Sequence, residues 1–156
     1  MTATAITLPI TRTNEGSTIE AGTTEPRAAV RPVWKTGLAA GLAASVATAA
    51  TAGVAHAAGV SLAVGGQAIP LLGFAQMTFL AAMIGTLLAA VFARRATRPQ
   101  PTFVVTTMAL TLLSIVPDVL ADAHVSTRLT LALTHVVAAA IVIPALASRL
   151  SQPVSR

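Results

Sequence analysis

Four nearly charge-free blocks dominate the pattern of hydrophobic and polar positions along this chain, at about 34–58, 70–93, 103–120 and 129–147. A membrane-spanning helix needs about 20 mostly apolar residues. Because lipid accepts only segments whose backbone hydrogen bonds are satisfied internally, each block predicts a spanning helix. Connections of about ten residues would place consecutive helices side by side and antiparallel. The predicted fold is therefore all-α, a transmembrane up-down four-helix bundle over residues 33–150.

The ends of the chain have a different composition. Residues 1–32 are rich in Thr, Ala, Glu and Pro and have little apolar periodicity. Such a segment cannot bury enough surface to offset the entropy lost on ordering, so it predicts a disordered N-terminal tail. Residues 151–156 predict a second, short tail.

Composition supports a membrane protein and leaves little room for soluble chemistry. The chain is 54% hydrophobic and 10% charged, whereas charged residues make up roughly 25% of soluble domains. A separate soluble catalytic domain would not fit beside the four helices. Cys is absent, which excludes disulfides, thiolate metal sites and cysteine nucleophiles.

The basic residues predict how the helices cross the membrane. Apart from Arg128, they all fall before the first block, between the second and third, or after the fourth: Arg12, Arg27, Arg31, Lys35, Arg94, Arg95, Arg98, Arg149 and Arg156. By the positive-inside rule, both termini and the connection between the second and third helices are cytoplasmic. The expected location is a bacterial cytoplasmic membrane, with anionic lipids at the basic face. This placement disfavours binding to nucleic acid.

The first helix could instead be a cleaved signal sequence. Ala55-His56-Ala57 satisfies the small-x-small rule, so cleavage after Ala57 is the alternative to retention. The apolar stretch before it is longer than the usual h-region of about 7–15 residues, which favours retention as a spanning helix.

Small residues at helical spacing form two ridges that predict close helix packing. The first ridge contains Gly37, Gly41, Ser45, Thr48 and Ala52, and the second contains Thr78, Ala82, Gly85 and Ala89. We expect the two ridges to pack against each other within one helical hairpin. The same pattern also occurs at interfaces between subunits, so a homo-oligomer or another membrane protein partner stays an alternative.

The candidate polar site within the membrane consists of His135, Asp118 and Ser114. His135 is the only ionisable residue well inside a predicted span, and ionisable groups at that depth are costly and often functional. If Asp118 lies beside His135, the pair could bind a proton, or the carboxylate could orient the imidazole of His135 toward a divalent metal. Alternatively, neutral His135 bonds a neighbouring oxygen, and Pro117 frees a carbonyl near Ser114. No HxxxH or HExxH spacing is present, so no metal site or cofactor is assigned.

These observations favour a non-enzymatic accessory or scaffold protein of the cell envelope. The chain carries no GxSxG or Walker-type motif and no carboxylate at the middle of a span. The alternative is a carrier or channel subunit that moves a proton, metal ion or small solute past His135 and Asp118. An intramembrane metal-dependent enzyme is the least favoured reading, because the ligand set is incomplete.

Several short segments resemble a known family. They are Trp34, the GLAAGLAA segment, Ile69-Pro70-Leu71, Arg94-Arg95 with TFVV after it, Ser114-Ile115-Val116-Pro117, LTHVVAA around His135, and Ile143-Pro144-Ala145-Leu146. Over about residues 34–150 the chain resembles the DUF6069 type of four-span actinobacterial membrane proteins. The resemblance implies a bacterial plasma-membrane protein without an assigned activity, and it supplies no functional residues.

Overall fold

The computed structural model describes residues 33–151, and this part of the chain folds into four α-helices. They are α1 (Val33–Ala57), α2 (Leu71–Arg95), α3 (Pro99–Leu120) and α4 (Val125–Leu150). Each is long and apolar enough to cross a membrane, which confirms the predicted all-α class. The predicted N-terminal tail and residues 152–156 lie outside the described residues.

Two helices extend further than the sequence pattern predicts. The third helix begins at Pro99 rather than near Phe103, because proline in the first turn needs no backbone N–H partner. The fourth begins at Val125 and ends at Leu150, so its first turn takes in polar residues of the expected loop. The second and third connections, 96–98 and 121–124, are therefore much shorter than the ten residues expected.

The helices form a ring in which each one contacts its neighbours in sequence. Helix α1 packs against α2 and α4, and α3 packs against α4 and α2. Across the ring, α2 also contacts α4. Short connections make these neighbours antiparallel, so the bundle is up-down. We call the end that carries Lys35, Arg94, Arg95, Arg98 and Arg149 the basic end, and the opposite end the hairpin end.

The close contact between α1 and α2 depends on glycine. A Cβ atom at Gly37 would overlap the side chain of Thr86, and one at Gly41 would lie 3.1 Å from both Ala82 and Met83. The hydroxyls of Thr48 and Thr78 meet across the same contact at 3.0 Å. The contact between these helices thus depends on two glycines, which allow close approach, and on one pair of hydroxyls. This is expected in lipid, where packing and hydrogen bonds rather than the hydrophobic effect hold helices together.

Gly85 and Ser45 belong to the two predicted ridges, but the neighbour of Gly85 and the hydrogen bond of Ser45 lie outside the contact between α1 and α2. The nearest neighbour to a Cβ at Gly85 is Val142 of α4, at 4.0 Å, so Gly85 lies outside the α1 contact. The predicted ridge is wrong at this position because α2 turns part of that face toward α4. Ser45 is buried and donates to Gly41 O at 2.8 Å within its own helix.

Two apolar clusters occupy the two ends of the bundle. The cluster toward the basic end consists of Val33, Ala89, Phe103, Leu146, Ala147 and Leu150. The cluster at the hairpin end consists of Ala52, Leu62 and Phe74. The first cluster joins residues from all four helices and closes the interior near the basic end.

A short β-hairpin lies in the first connection, for which the sequence pattern predicts no strand. Strands β1 (Ala63–Val64) and β2 (Gln67–Ala68) pair antiparallel around Gly65 and Gly66. Both glycines have positive φ, 57° and 77°, as a two-residue type I′ turn requires. The Gly65 N–H donates to Asp122 O at 2.8 Å, which ties the hairpin to the connection between α3 and α4.

Candidate intramembrane polar site

His135 lies deep in α4, about 15 Å from the start of the helix at 1.5 Å per residue. Among the described residues, it is the only ionisable one far from either end of its helix. Asp118 lies in the last turn of α3. Because these two side chains touch, the first turns of α4 must extend past the end of α3.

The imidazole of His135 contacts two oxygens through one nitrogen. Its Nδ1 lies 3.0 Å from Asp118 Oδ2 and 3.0 Å from the carbonyl oxygen of Leu131. A carbonyl oxygen only accepts hydrogen bonds, so Nδ1 carries the hydrogen. That hydrogen points toward Leu131, and Asp118 Oδ2, although buried, receives no hydrogen bond from the described residues. The contact between the two side chains is therefore electrostatic.

The two partners differ in exposure. The side chain of Asp118 is 15% exposed, whereas that of His135 is 37% exposed. The carboxylate is thus enclosed between helices while part of the imidazole ring remains open. His135 Nε2 makes no hydrogen bond within residues 33–151. Because part of the ring is open, Nε2 can form a hydrogen bond with a further polar group.

A crevice of about 220 Å³ lies beside His135, between α2 and α4. Its walls come from the end of the first connection and from these two helices: Ile69, Gly73, Phe74, Met77, Thr78, Ala81, Leu131, Thr134, His135 and Ala138. The hydroxyls of Thr78 and Thr134 already bond to Thr48 and to Leu131 O. Among the polar side chains of the wall, the imidazole of His135 is therefore the one that still has an atom available for a hydrogen bond to a bound molecule.

Ser114, the third predicted site residue, does not join this pair, and neither do the other two histidines, His56 and His124. Ser114 donates to Thr111 O of its own helix at 2.7 Å. His56 lies on the exposed surface with Nδ1 3.3 Å from Val60 O, and His124 immediately precedes α4. In the part of the chain that the structure describes, no three His, Cys, Asp or Glu side chains come close enough to hold a metal ion.

Sequence reasoning missed two features of this region. One is the crevice, which depends on how far α2 and α4 separate and has no signature in the sequence. The other is a buried row of hydroxyls on α4, formed by Thr127, Thr130 and Thr134. Their spacing of three and four residues marks one helix face and could have revealed the row.

Comparison with known proteins identifies a family for this chain, and that family has no assigned activity. Residues 28–152 match the model of a family of unknown function, DUF6069. Neither a curated protein nor a solved structure matches the chain. The match covers all four helices, the hairpin and the polar pair. The chain therefore belongs to the DUF6069 family, and this sequence folds into four helices that are each long and apolar enough to cross a membrane.

Proposed function

We propose that this chain is a non-enzymatic accessory or scaffold protein of a bacterial cytoplasmic membrane. The observation that carries the proposal is the apolar cluster toward the basic end, in which Phe103 and Leu146 are fully buried and touch residues of the other helices. Close-packed side chains of this kind leave no room for a solute. A bundle closed in this way suits a protein that presents surfaces to partners.

Helix α3 supplies the surface that such a partner would contact. Its buried residues, Phe103 and Thr107, both lie toward the basic end. The rest of the helix exposes large apolar side chains, namely Val105, Met108, Leu110, Leu112, Leu113, Val116, Val119 and Leu120. Because α3 contributes so little to the bundle, its outer face is free to contact a second membrane protein or a second copy of this chain.

Orientation and lipid contacts belong to the same proposal. The basic end faces the cytoplasm, where Arg94, Arg95 and Arg98 meet anionic headgroups. Trp34 supports this placement because it lies at the basic end with 60% of its surface exposed, as an interfacial aromatic residue should.

Crosslinking in the native membrane tests the scaffold role. A photoreactive amino acid at Leu113 of α3 is compared with one at Leu87 of α2, since both side chains are 65% exposed. We expect Leu113 to give a protein adduct of defined mass and Leu87 to give only lipid adducts. Lipid adducts alone at both positions, in cells that express the protein normally, would contradict a scaffold that acts through α3.

The 3.0 Å contact between His135 and Asp118 favours a second candidate, a carrier or channel subunit for a proton, metal ion or small solute. Vesicles containing the purified protein and a pH-sensitive dye would reveal proton flux. A carrier would lose that flux in His135→Leu and keep it in His124→Leu, which removes a histidine at the end of the helix. Flux that depends on His135 would make the scaffold proposal wrong.

A further inference from the structure

The open-sided crevice beside His135 has room for a small molecule. Its volume of about 220 Å³ exceeds that of an engineered apolar cavity of about 150 Å³ that binds benzene. Its walls are mostly Gly, Ala and larger apolar side chains. A molecule inside it would therefore be apolar over most of its surface.

His135 determines which polar group that molecule carries. Nδ1 is already committed to Leu131 O and to the contact with Asp118, so Nε2 is the nitrogen left for a ligand. In neutral imidazole, Nε2 accepts a hydrogen bond, and in imidazolium it donates one. A hydroxyl both donates and accepts, so it fits either protonation state. Carboxylates, quaternary amines and plain hydrocarbons each fail in at least one state.

Asp118 and Leu131 support this role by fixing the ring. The bond from Nδ1–H to Leu131 O sets the tautomer, and the carboxylate of Asp118, which is not part of the crevice wall, contacts the same nitrogen. An imidazole held from one side presents the other nitrogen in a constant direction. Asp118 is in this sense a positioning residue and His135 is the binding residue.

We propose that the crevice between α2 and α4 binds an apolar molecule with a single hydroxyl group, and that His135 Nε2 hydrogen-bonds that hydroxyl. The ligand is either a membrane lipid with a free hydroxyl or a small alcohol or phenol. The site does not depend on the scaffold role, because it uses none of the outer face of α3.

Photolabelling of the full chain in lipid nanodiscs tests the site. The probe is octanol with a diazirine on its chain, and the matched probe is the corresponding octane without the hydroxyl. We expect the octanol probe to label crevice residues such as Met77 and Thr134, and to do so more strongly than the octane probe. A net hydrogen bond of ordinary strength predicts about a fivefold difference.

Three variants identify the group that binds. His135→Phe keeps the ring and removes both nitrogens, so it should lower octanol labelling about fivefold and leave octane labelling unchanged. His56→Phe, at an exposed histidine outside the crevice, should change neither. Ala138→Leu fills the crevice with a larger apolar side chain and should abolish labelling by both probes. The last variant keeps the test valid if His135→Phe fails to fold.

Competition distinguishes the two sources of the hydroxyl. Displacement of the probe by dioleoylglycerol indicates a membrane lipid, and displacement by phenol alone indicates a small soluble molecule. Either result supports the site. Equal labelling by the two probes, or labelling that survives Ala138→Leu, would overturn the proposal and leave a groove occupied by ordinary lipid chains.

Discussion

At the scale of single residues, Gly37 has the strictest requirement in the bundle. A Cβ atom there would lie 2.7 Å from the Cβ of Thr86, which is too close for two nonbonded carbons. Rotating the threonine side chain does not help, because its own Cβ is fixed by the backbone. The two helices would have to move apart.

We therefore expect Gly37→Ala to lower the free energy of unfolding by about 1–3 kcal/mol, the usual effect of overpacking. Unfolding by SDS in mixed micelles, followed by circular dichroism, measures it. The matched control is Gly85→Ala, where the nearest atom is 4.0 Å away and the effect should be small. Adding Thr86→Gly to Gly37→Ala should restore part of the loss. Equal effects at Gly37 and Gly85 would contradict the close contact.

Loss of the hydroxyl pair of Thr48 and Thr78 should lower the free energy of unfolding by less than Gly37→Ala does. The two oxygens lie 3.0 Å apart, and Thr48 also bonds to Ser45 O of its own helix. Hydrogen bonds between membrane helices contribute about 0.6 kcal/mol on average. A double-mutant cycle with Thr48→Val and Thr78→Val should give a coupling energy of that size. A coupling energy of zero would mean that the hydroxyls act only through their own helices.

Some residues of the candidate site and of the helix contacts can be predicted from the sequence, and others cannot. His135 is evident because an ionisable residue within an apolar block is unusual, and the predicted antiparallel order of the helices places it in the same half of the bundle as Asp118 at the end of α3. The ridge of Gly37 and Gly41 follows from spacing as well. Gly85 could not be assigned correctly, because spacing gives a helix face but does not say which neighbour covers it.

At the scale of elements, the β-hairpin is the main difference from the expected fold. A Gly-Gly pair such as Gly65-Gly66 is a recognised hairpin signal when strand-like residues that alternate between apolar and polar flank it. The signal is weak here because each strand has only two residues, too few to show a period. The helices, by contrast, follow from long apolar blocks, and only their ends shift where proline or polar residues continue a helix into a loop.

The hairpin turn makes a local prediction. Alanine at Gly66 would have to adopt a positive φ, which costs about 1–2 kcal/mol. We expect Gly66→Ala to accelerate exchange of the Ile69 amide, which bonds to Leu62 O at 2.9 Å, by about tenfold. Gly59→Ala also introduces a strained φ but lies outside the hairpin, so the Ile69 amide should be unaffected. Equal acceleration in both variants would mean that the turn is not formed.

At the scale of the whole molecule, the bundle is asymmetric from end to end. Each end contains an apolar cluster, but within the described residues the polar pair and the crevice lie toward the hairpin end. Sequence alone predicts the charge asymmetry, since basic residues can be counted along the chain. It does not predict where the crevice lies, because that depends on how α2 and α4 pack against each other.

The orientation of this asymmetry can be measured directly. The chain has no cysteine, so a single introduced thiol is unique. We expect a membrane-impermeant maleimide to label Asp122→Cys in intact cells and to label Arg98→Cys only after the membrane is permeabilised. The reverse pattern would place the basic end outside. Labelling of both positions in intact cells would indicate damaged membranes and requires repetition with a cytoplasmic marker.

Leu62 has a consequence for the order in which the protein assembles. Its φ of 49° is unfavourable for leucine, yet its side chain is only 2% exposed and packs with Ala52 and Phe74. Leu131 of the last helix lies against the same cluster. The strain is thus offset by packing to which α1, α2 and α4 all contribute. We expect a nascent chain lacking α4 to pack this connection less tightly, so that the hairpin end of the bundle is completed after α4 has joined it.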